Sequence, residues 1–214
     1  MKFKSKIYWN RYYNSRKNNK KPSNFAKLVL KNYLKQNSIV LDVASGDGRD
    51  AIFFADKAKK VIGIDFSEIV IKKNKLLAKK LSKKNVYFQR LSSDKIKKIK
   101  NKTINFIYAR FFLHAVNEKS EDIFLKSIRN NFQNNILIAL EFRTIKDKLM
   151  KKGKKISKYE RITDHYRRFI SPKKIEKKLK KLDFKILYKK VGINLSKNNG
   201  ENPHLCRLIF SKIR

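Results

Sequence analysis

Val40-Leu41-Asp42-Val43-Ala44-Ser45-Gly46-Asp47-Gly48-Arg49-Asp50 is followed further along by Val61-Ile62-Gly63-Ile64-Asp65-Phe66-Ser67. Ile39 to Val43 is an apolar run with one carboxylate, short enough for a strand and closed by glycines. Arg49 to Lys60 carries Ala51, Phe54, Ala55 and Ala58 at helical spacing. Strand, glycine turn, helix, strand and acid make the first βαβ unit of a nucleotide-binding sheet, with Asp65 placed to hold ribose hydroxyls.

Gly46-Asp47-Gly48-Arg49-Asp50-Ala51 also matches the dinucleotide fingerprint G-x-G-x-x-A. Charge argues against a pyrophosphate there. Asp42, Asp47 and Asp50 crowd the loop of a chain with only 17 acids against 56 Lys and Arg. An anion at a helix N-terminus wants N–H groups and positive charge, not carboxylates. A cationic ligand suits the loop better, and S-adenosylmethionine carries both a sulfonium and an ammonium.

D-V-A-S-G-D-G-R-D at 42–50, followed by G-I-D-F-S at 63–67, resembles the first two motifs of class I S-adenosylmethionine-dependent methyltransferases. The resemblance implies an α/β fold: one Rossmann-like domain with a seven-stranded, mostly parallel sheet, an antiparallel last strand, and helices on both faces. It implies S-adenosylmethionine as cofactor and S-adenosylhomocysteine as product. Carried over, Asp42, Gly46 and Gly48 line the methionine half, while Asp65, with Phe66 beside it, grips the ribose. Family loops usually have Gly where Ala44 stands, and Ala narrows the loop at that point. An Asp after the third strand often approaches the adenine amino group in the family; here Ser92, Ser93 or Asp94 stands in that region. The plainer alternative is that the glycines only make a tight strand-to-helix turn.

Residues 1–22 form an aromatic N-terminal segment with Tyr8, Trp9, Tyr12 and Tyr13 close together. It reads either as a lid over the cofactor, as family members often carry, or as a clasp packed on the sheet. Residues 23–214 form the methyltransferase domain. Ser23 can cap a helix with Phe25, Val29 and Tyr33 on one side, and Ser67 a second with Val70, Leu77 and Leu81. Val86–Leu91, Thr103–Ala109 and Asn135–Leu140 read as the third to fifth strands, with a helix over Glu118–Phe132. Residues 144–170 read as a long polar loop that suits a lid. Ser171-Pro172 starts the last helix, and Phe184–Tyr188 and Leu205–Phe210 are the last two strands.

Composition narrows the class further. No apolar run approaches the ~18 residues of a membrane span, and the first residues lack the apolar core of a signal peptide. One cysteine, Cys206, permits no internal disulfide, which fits a cytoplasmic location. His114, His165 and His204 are scattered, so no metal-ligand spacing is present. The net charge of +39 reads either as a polyanion partner or as compositional drift in a Lys-, Asn- and Ile-rich chain. It predicts nonspecific attraction to nucleic acid at low salt. An RNA-directed methyltransferase or a basic nucleic-acid-binding protein is the competing function. No Asn-Pro-Pro-aromatic loop follows the fourth strand, which removes the base-amino methyltransferases.

Ligands of open parallel sheets bind at the carboxyl ends of the strands. That places Arg110 and His114 after the fourth strand and Glu141 and Arg143 after the fifth near the acceptor. The segment Asp164-His165-Tyr166-Arg167-Arg168 is expected to fold over those ends. A neutral hydroxyl acceptor needs a base, for which His114 and His165 are candidates, with Glu141 as orienter or alternative base. An anionic acceptor needs guanidinium anchors instead, from Arg110, Arg143, Arg167 and Arg168, with Tyr166 alongside. The whole set resembles small bacterial methyltransferases associated with surface-polysaccharide biosynthesis, implying a small or glycan-linked polar or anionic acceptor and O-methylation.

Overall fold

The computed structural model describes residues 2–15, 21–99, 103–197 and 200–213, with side chains from Ile7 onward. In chain order the elements are α1 (Lys2–Ser15), α2 (Asn24–Asn32), β1 (Ile39–Val43), α3 (Arg49–Phe54), β2 (Lys60–Asp65), α4 (Glu68–Lys80), β3 (Val86–Arg90) and β4 (Phe106–Arg110). They continue with α5 (Glu118–Asn131), β5 (Leu137–Arg143), β6 (Lys154–Ser157), β7 (Glu160–Ile162), β8 (Tyr166–Arg168), α6 (Pro172–Lys181), β9 (Phe184–Gly192) and β10 (Leu205–Lys212). Seven strands form one sheet in the order β3-β2-β1-β4-β5-β10-β9. β1 runs parallel to β2 and β4, and β2 to β3, while β10 runs antiparallel to both β5 and β9. This is the expected Rossmann-like sheet with its last strand reversed. No helix among the described residues is long and apolar enough to cross a membrane.

The chain divides into two compact units, Met1–Tyr108 and Ala109–Arg214. In the first, Ser23 caps α2 by accepting from Ala26 N at 3.0 Å, and Phe25, Ala26 and Val29 of that helix are fully buried. Tyr108 stacks on Phe25 at 5.4 Å between ring centres and meets Phe54 edge-on at 4.9 Å. The helix after the glycine loop is shorter than the spacing of its alanines predicts, ending at Phe54 and not Lys60. The amide of Asn85 takes the carbonyls of Ala55 and Ala58 at 2.8 and 2.9 Å, which turns the chain out of the helix.

In the second unit, Asn117 caps α5 through Ser120 N at 2.9 Å, and Phe124 and Ile128 are buried. α6 begins with Pro172 in its first turn and buries Ile175 and Leu179, packing on β9. Two expectations are corrected here. The fifth strand extends through Arg143, so Glu141 and Arg143 lie inside it and are buried. Ion-pair partners make that possible: Arg110 and Arg207 on the neighbouring strands for Glu141, and Asp147 and Glu201 outside the strands for Arg143. Residues 144–170 are not an extended loop: a short 3-10 turn, Lys148–Lys151, leads into the antiparallel sheet β6-β7-β8. All of β6 is exposed, so it carries none of the alternation that marks a strand.

Candidate functional site

In the first unit β1 empties into the loop 44–48, which takes left-handed backbone at Ala44 (φ 57°), Gly46 (φ 52°) and Gly48 (φ 72°). That accounts for the glycine usual in the resembled family: Ala44 carries a left-handed conformation costing an L residue about 1–2 kcal/mol. A side chain on Gly46 would sit 2.8 Å from the Tyr13 hydroxyl, and one on Gly48 would lie within 2.9 Å of Asn74 and Phe88. Asp65 spans the loop and the start of α4, accepting from Gly46 N at 3.1 Å and Ser67 N at 2.9 Å. Burial pushes its carboxyl up to about 6, against the lowering pull of the backbone N–H groups of Ser67 and Gly46. Asn74 of α4 donates to the Gly46 carbonyl at 2.8 Å and closes the loop from the other side. Asp42 is buried at the end of β1. Phe66 is half-buried beside Asp65, and Ser92, Ser93 and Asp94 are half-buried where β3 gives way to the 3-10 turn Ser93–Lys98.

Asp50 does not belong with the loop acids. Its carboxylate accepts from Ser23 N and Ser23 Oγ, both at 2.7 Å, and from the Tyr108 hydroxyl at 2.8 Å. It anchors α2. Asp47 has Arg49 at 3.8 Å.

α1 lies against this loop. Asn10 accepts from the Ser67 hydroxyl at 2.7 Å, and Lys73 Nζ donates to the Tyr13 carbonyl at 2.6 Å. Burial, then the nearby carboxylates of Asp65 and Asp47, raise the Tyr13 phenol well above its ordinary value. Trp9 stacks on Tyr13 and meets Tyr8 edge-on. Residues 16–20 of the expected 1–22 segment lie outside the described residues. The sequence marks Tyr13 only as one member of the aromatic segment, and Asn74 not at all. The signal for Asn74 was a polar residue on the face of α4 that buries Val70, Ile71 and Ala78.

The residues fit S-adenosylmethionine. Side-chain-free loop positions give close backbone approach, and Asp65, ionised above about pH 6, keeps lone pairs for hydroxyl donors beyond the two amides it already accepts.

In the second unit the other expected residues gather around the end of β4. Phe111 follows Arg110 with φ 56°, its N–H donating to the Glu141 carbonyl at 2.8 Å. The Arg110 guanidinium stacks over the Phe111 ring at 4.1 Å, that of Arg143 lies at 5.9 Å, and His114 meets the ring edge-on at 5.0 Å. His114 Nδ1 accepts from Arg143 N at 3.3 Å, which puts the ring proton on Nε2. Burial holds this histidine well below 6.5, followed by the charges of Arg143, Arg167, His165 and Arg110. His165 is lowered to about 4 by burial and Arg167, although Asp164 Oδ2 lies 3.1 Å from its Nδ1 and opposes the shift.

Glu141, fully buried, holds Arg110 Nε at 2.8 Å and Arg207 Nε at 2.6 Å, one on each oxygen. Arg110 also donates to the Ser196 hydroxyl at 2.8 Å. Arg143 is gripped by Asp147 at 3.1 and 3.2 Å and by Glu201 at 2.5 Å. Arg167 pairs with Asp164 and Thr163. Two residues turn away. Arg168 donates to the Val116 carbonyl at 3.0 Å and pairs with Glu121, fastening β8 to α5. Tyr166 gives its hydroxyl to Glu160 across β7, and burial raises its phenol.

A family model described as a methyltransferase domain matches residues 13–189. No curated protein matches the chain. Among solved structures, an S-adenosylmethionine-dependent methyltransferase from Methanosarcina mazei is 17% identical with a TM-score of 0.75, covering 86% of this chain and 97% of its own. One described as a methyltransferase of this cofactor class from Listeria monocytogenes is 18% identical with a TM-score of 0.67, covering 89% and 99%. A Burkholderia thailandensis 1,6-didemethyltoxoflavin-N1-methyltransferase, solved with that compound and S-adenosylhomocysteine, is 14% identical with a TM-score of 0.67, covering 88% and 77%. At these identities the likenesses speak for the fold.

Proposed function

This chain belongs to the methyltransferase-domain family and uses S-adenosylmethionine, and from that premise we propose that it O-methylates a small or glycan-linked acceptor presenting an oxyanion. The cofactor, when bound, supplies an electrophilic methyl on a sulfonium. The chain's own residues hold it and align the acceptor for in-line displacement. Asp65 accepts the ribose hydroxyls, and the loop 44–48 with Asp42 takes the methionine half, while Phe66 and Ser92 to Asp94 serve the adenine side. α1, with Tyr13 against the loop, acts as the lid.

One observation carries the choice of acceptor: none of the candidate bases is suited to deprotonate a hydroxyl at neutral pH. The lone pair of His114 at Nδ1 is taken by a backbone N–H, so its free edge donates. His165, at about 4, is too weak a base to be effective near neutrality. Each oxygen of Glu141 holds a guanidinium. Arg110, Arg143 and Arg167 gather in the same unit, and guanidiniums match carboxylate or phosphate oxygens bidentately. A glycan bearing a carboxylate, or a small organic acid, meets this chemistry. The strongly basic surface attracts nucleic acid only nonspecifically, through counterion release.

The test is methyl transfer from labelled S-adenosylmethionine to fractionated small molecules and glycan precursors. Acidic fractions should accept label, with a rate at saturating cofactor that is flat from about pH 6 to 8 because none of the candidate acceptor bases titrates there. A neutral alcohol as the favoured acceptor, with a rate rising through a group of pKa near 6.5, would overturn the reading.

A further inference from the structure

We infer that the outer edge of the Arg143 guanidinium is the seat for a carboxylate of the acceptor, and that Glu201 occupies it when no acceptor is bound. This rests on the oxyanion reading above and narrows it to a carboxylate beside a flat apolar surface.

The two edges of Arg143 are held very differently. Nη1 faces Asp147, whose side chain is 1% exposed and which also accepts from Leu149 N at 2.9 Å and His204 N at 3.0 Å. That pair is built into the fold. Nη2 faces Glu201, whose side chain is 55% exposed and lies on the link between β9 and β10. Glu201 makes no other hydrogen bond among the described residues. Glu201 is the exposed half of the pair and is held by this contact alone, so an incoming carboxylate replaces one ion pair on Arg143 by another at little net cost.

Charge balance points the same way. Arg110, Arg143, Arg167 and Arg207 face Glu141, Asp147, Asp164 and Glu201. Moving Glu201 away leaves one uncompensated positive charge, and a monoanion restores the balance. The half-exposed Phe111 ring lies beside this edge, flanked by both guanidiniums, and offers a planar apolar surface to the body of the ligand. Nε2–H of His114 has no partner among the described residues and provides a further donor in the cluster.

The probe is benzoate, with benzamide as its neutral counterpart, titrated against the full chain by NMR at matched low ionic strength. Glu201→Gln, a change at an exposed position, removes the competing charge and keeps the side-chain shape. Benzoate should bind the wild type weakly and the variant about fivefold more tightly, the equivalent of about 1 kcal/mol; benzamide should bind neither. Arg143→Lys should abolish benzoate binding while S-adenosylhomocysteine affinity, measured on the same sample, reports an intact fold. Equal benzoate affinity in wild type and Glu201→Gln, or equal binding of benzamide, overturns the inference. If labelled methyl still goes to acidic acceptors in that event, the oxyanion reading stands and only this seat is lost. If benzoate binds as expected and only neutral acceptors are methylated, Arg143 binds carboxylates that are not the acceptor's, and both the inference and the oxyanion reading fall.

Discussion

Protonating Asp65 should release the cofactor. The carboxyl is 4% exposed, and its pKa is raised from 3.8 to about 6 by burial. Above about pH 6 it is ionised and accepts from Gly46 N, Ser67 N and, on the reading above, the ribose hydroxyls. Below that value a proton occupies one acceptor site, and the Kd for S-adenosylhomocysteine should rise about tenfold per pH unit. Calorimetry between pH 5 and 8 reads this directly. Asp65→Asn should bind at least about tenfold more weakly at pH 7.5 and lose the slope, since charge-assisted bonds contribute roughly 1.5–3 kcal/mol each. The same shift acts on folding with a definite sign. Between 3.8 and about 6 the folded state binds more protons than the unfolded one, so stability contributed by this group falls as pH rises through that window, by up to about 3 kcal/mol. Wild-type affinity that stays flat down to pH 5, or an Asn variant that keeps the slope, would refute this account of Asp65.

Asp50→Asn should destabilise the fold by about 3 kcal/mol in denaturant titrations, because it disturbs bonds to Ser23 N, Ser23 Oγ and Tyr108. Its effect on S-adenosylhomocysteine affinity should stay within about twofold, which separates an anchor of α2 from a cofactor ligand. Arg168→Met should likewise lower stability, by about 3 kcal/mol, by leaving buried Glu121 to Lys178 alone. Replacing Arg167 should instead depress turnover on an acidic acceptor with little change in the melting midpoint.

How much of this was legible in the sequence depended on whether the partner was local. β1, β2 and the loop between them announce themselves because the apolar run, the glycines and Asp65 are neighbours in the chain. The caps at Ser23 and Ser67 were visible for the same reason, each reaching a few residues ahead. Glu141 and Arg143 read as the exit from a strand because charges rarely end one in the core. What buries Glu141 is Arg207, 66 positions further on, paired with it across β5 and β10. β6 and β7 were hidden because they are short and bury no residue, and β8 because the two residues it buries are arginines. The same distance effect masked Asp50, whose partners Ser23 and Tyr108 sit 27 and 58 positions away. The meeting of His114 and Arg143 was expected from the ends of the fourth and fifth strands, and Arg167 from the segment 164–168, whereas the tautomer of His114 needed the Arg143 amide in three dimensions.

The carboxylate of Glu141 ties together two strands that would otherwise be free to change separately. It joins a guanidinium from β4 to one from β10, and removing it would strand both beneath the surface at a cost of about 3–5 kcal/mol. Neither arginine can drift to an apolar residue without leaving the acid over-supplied with negative charge, and the acid cannot drift without both arginines. A single substitution in the trio should therefore destabilise the fold more than a joint replacement of all three. Arg110, which carries the Phe111 ring, inherits that immobility. New acceptors would more readily be accommodated by altering the exposed Glu201 or the small three-stranded sheet bearing Arg167 than by re-cutting the end of β4.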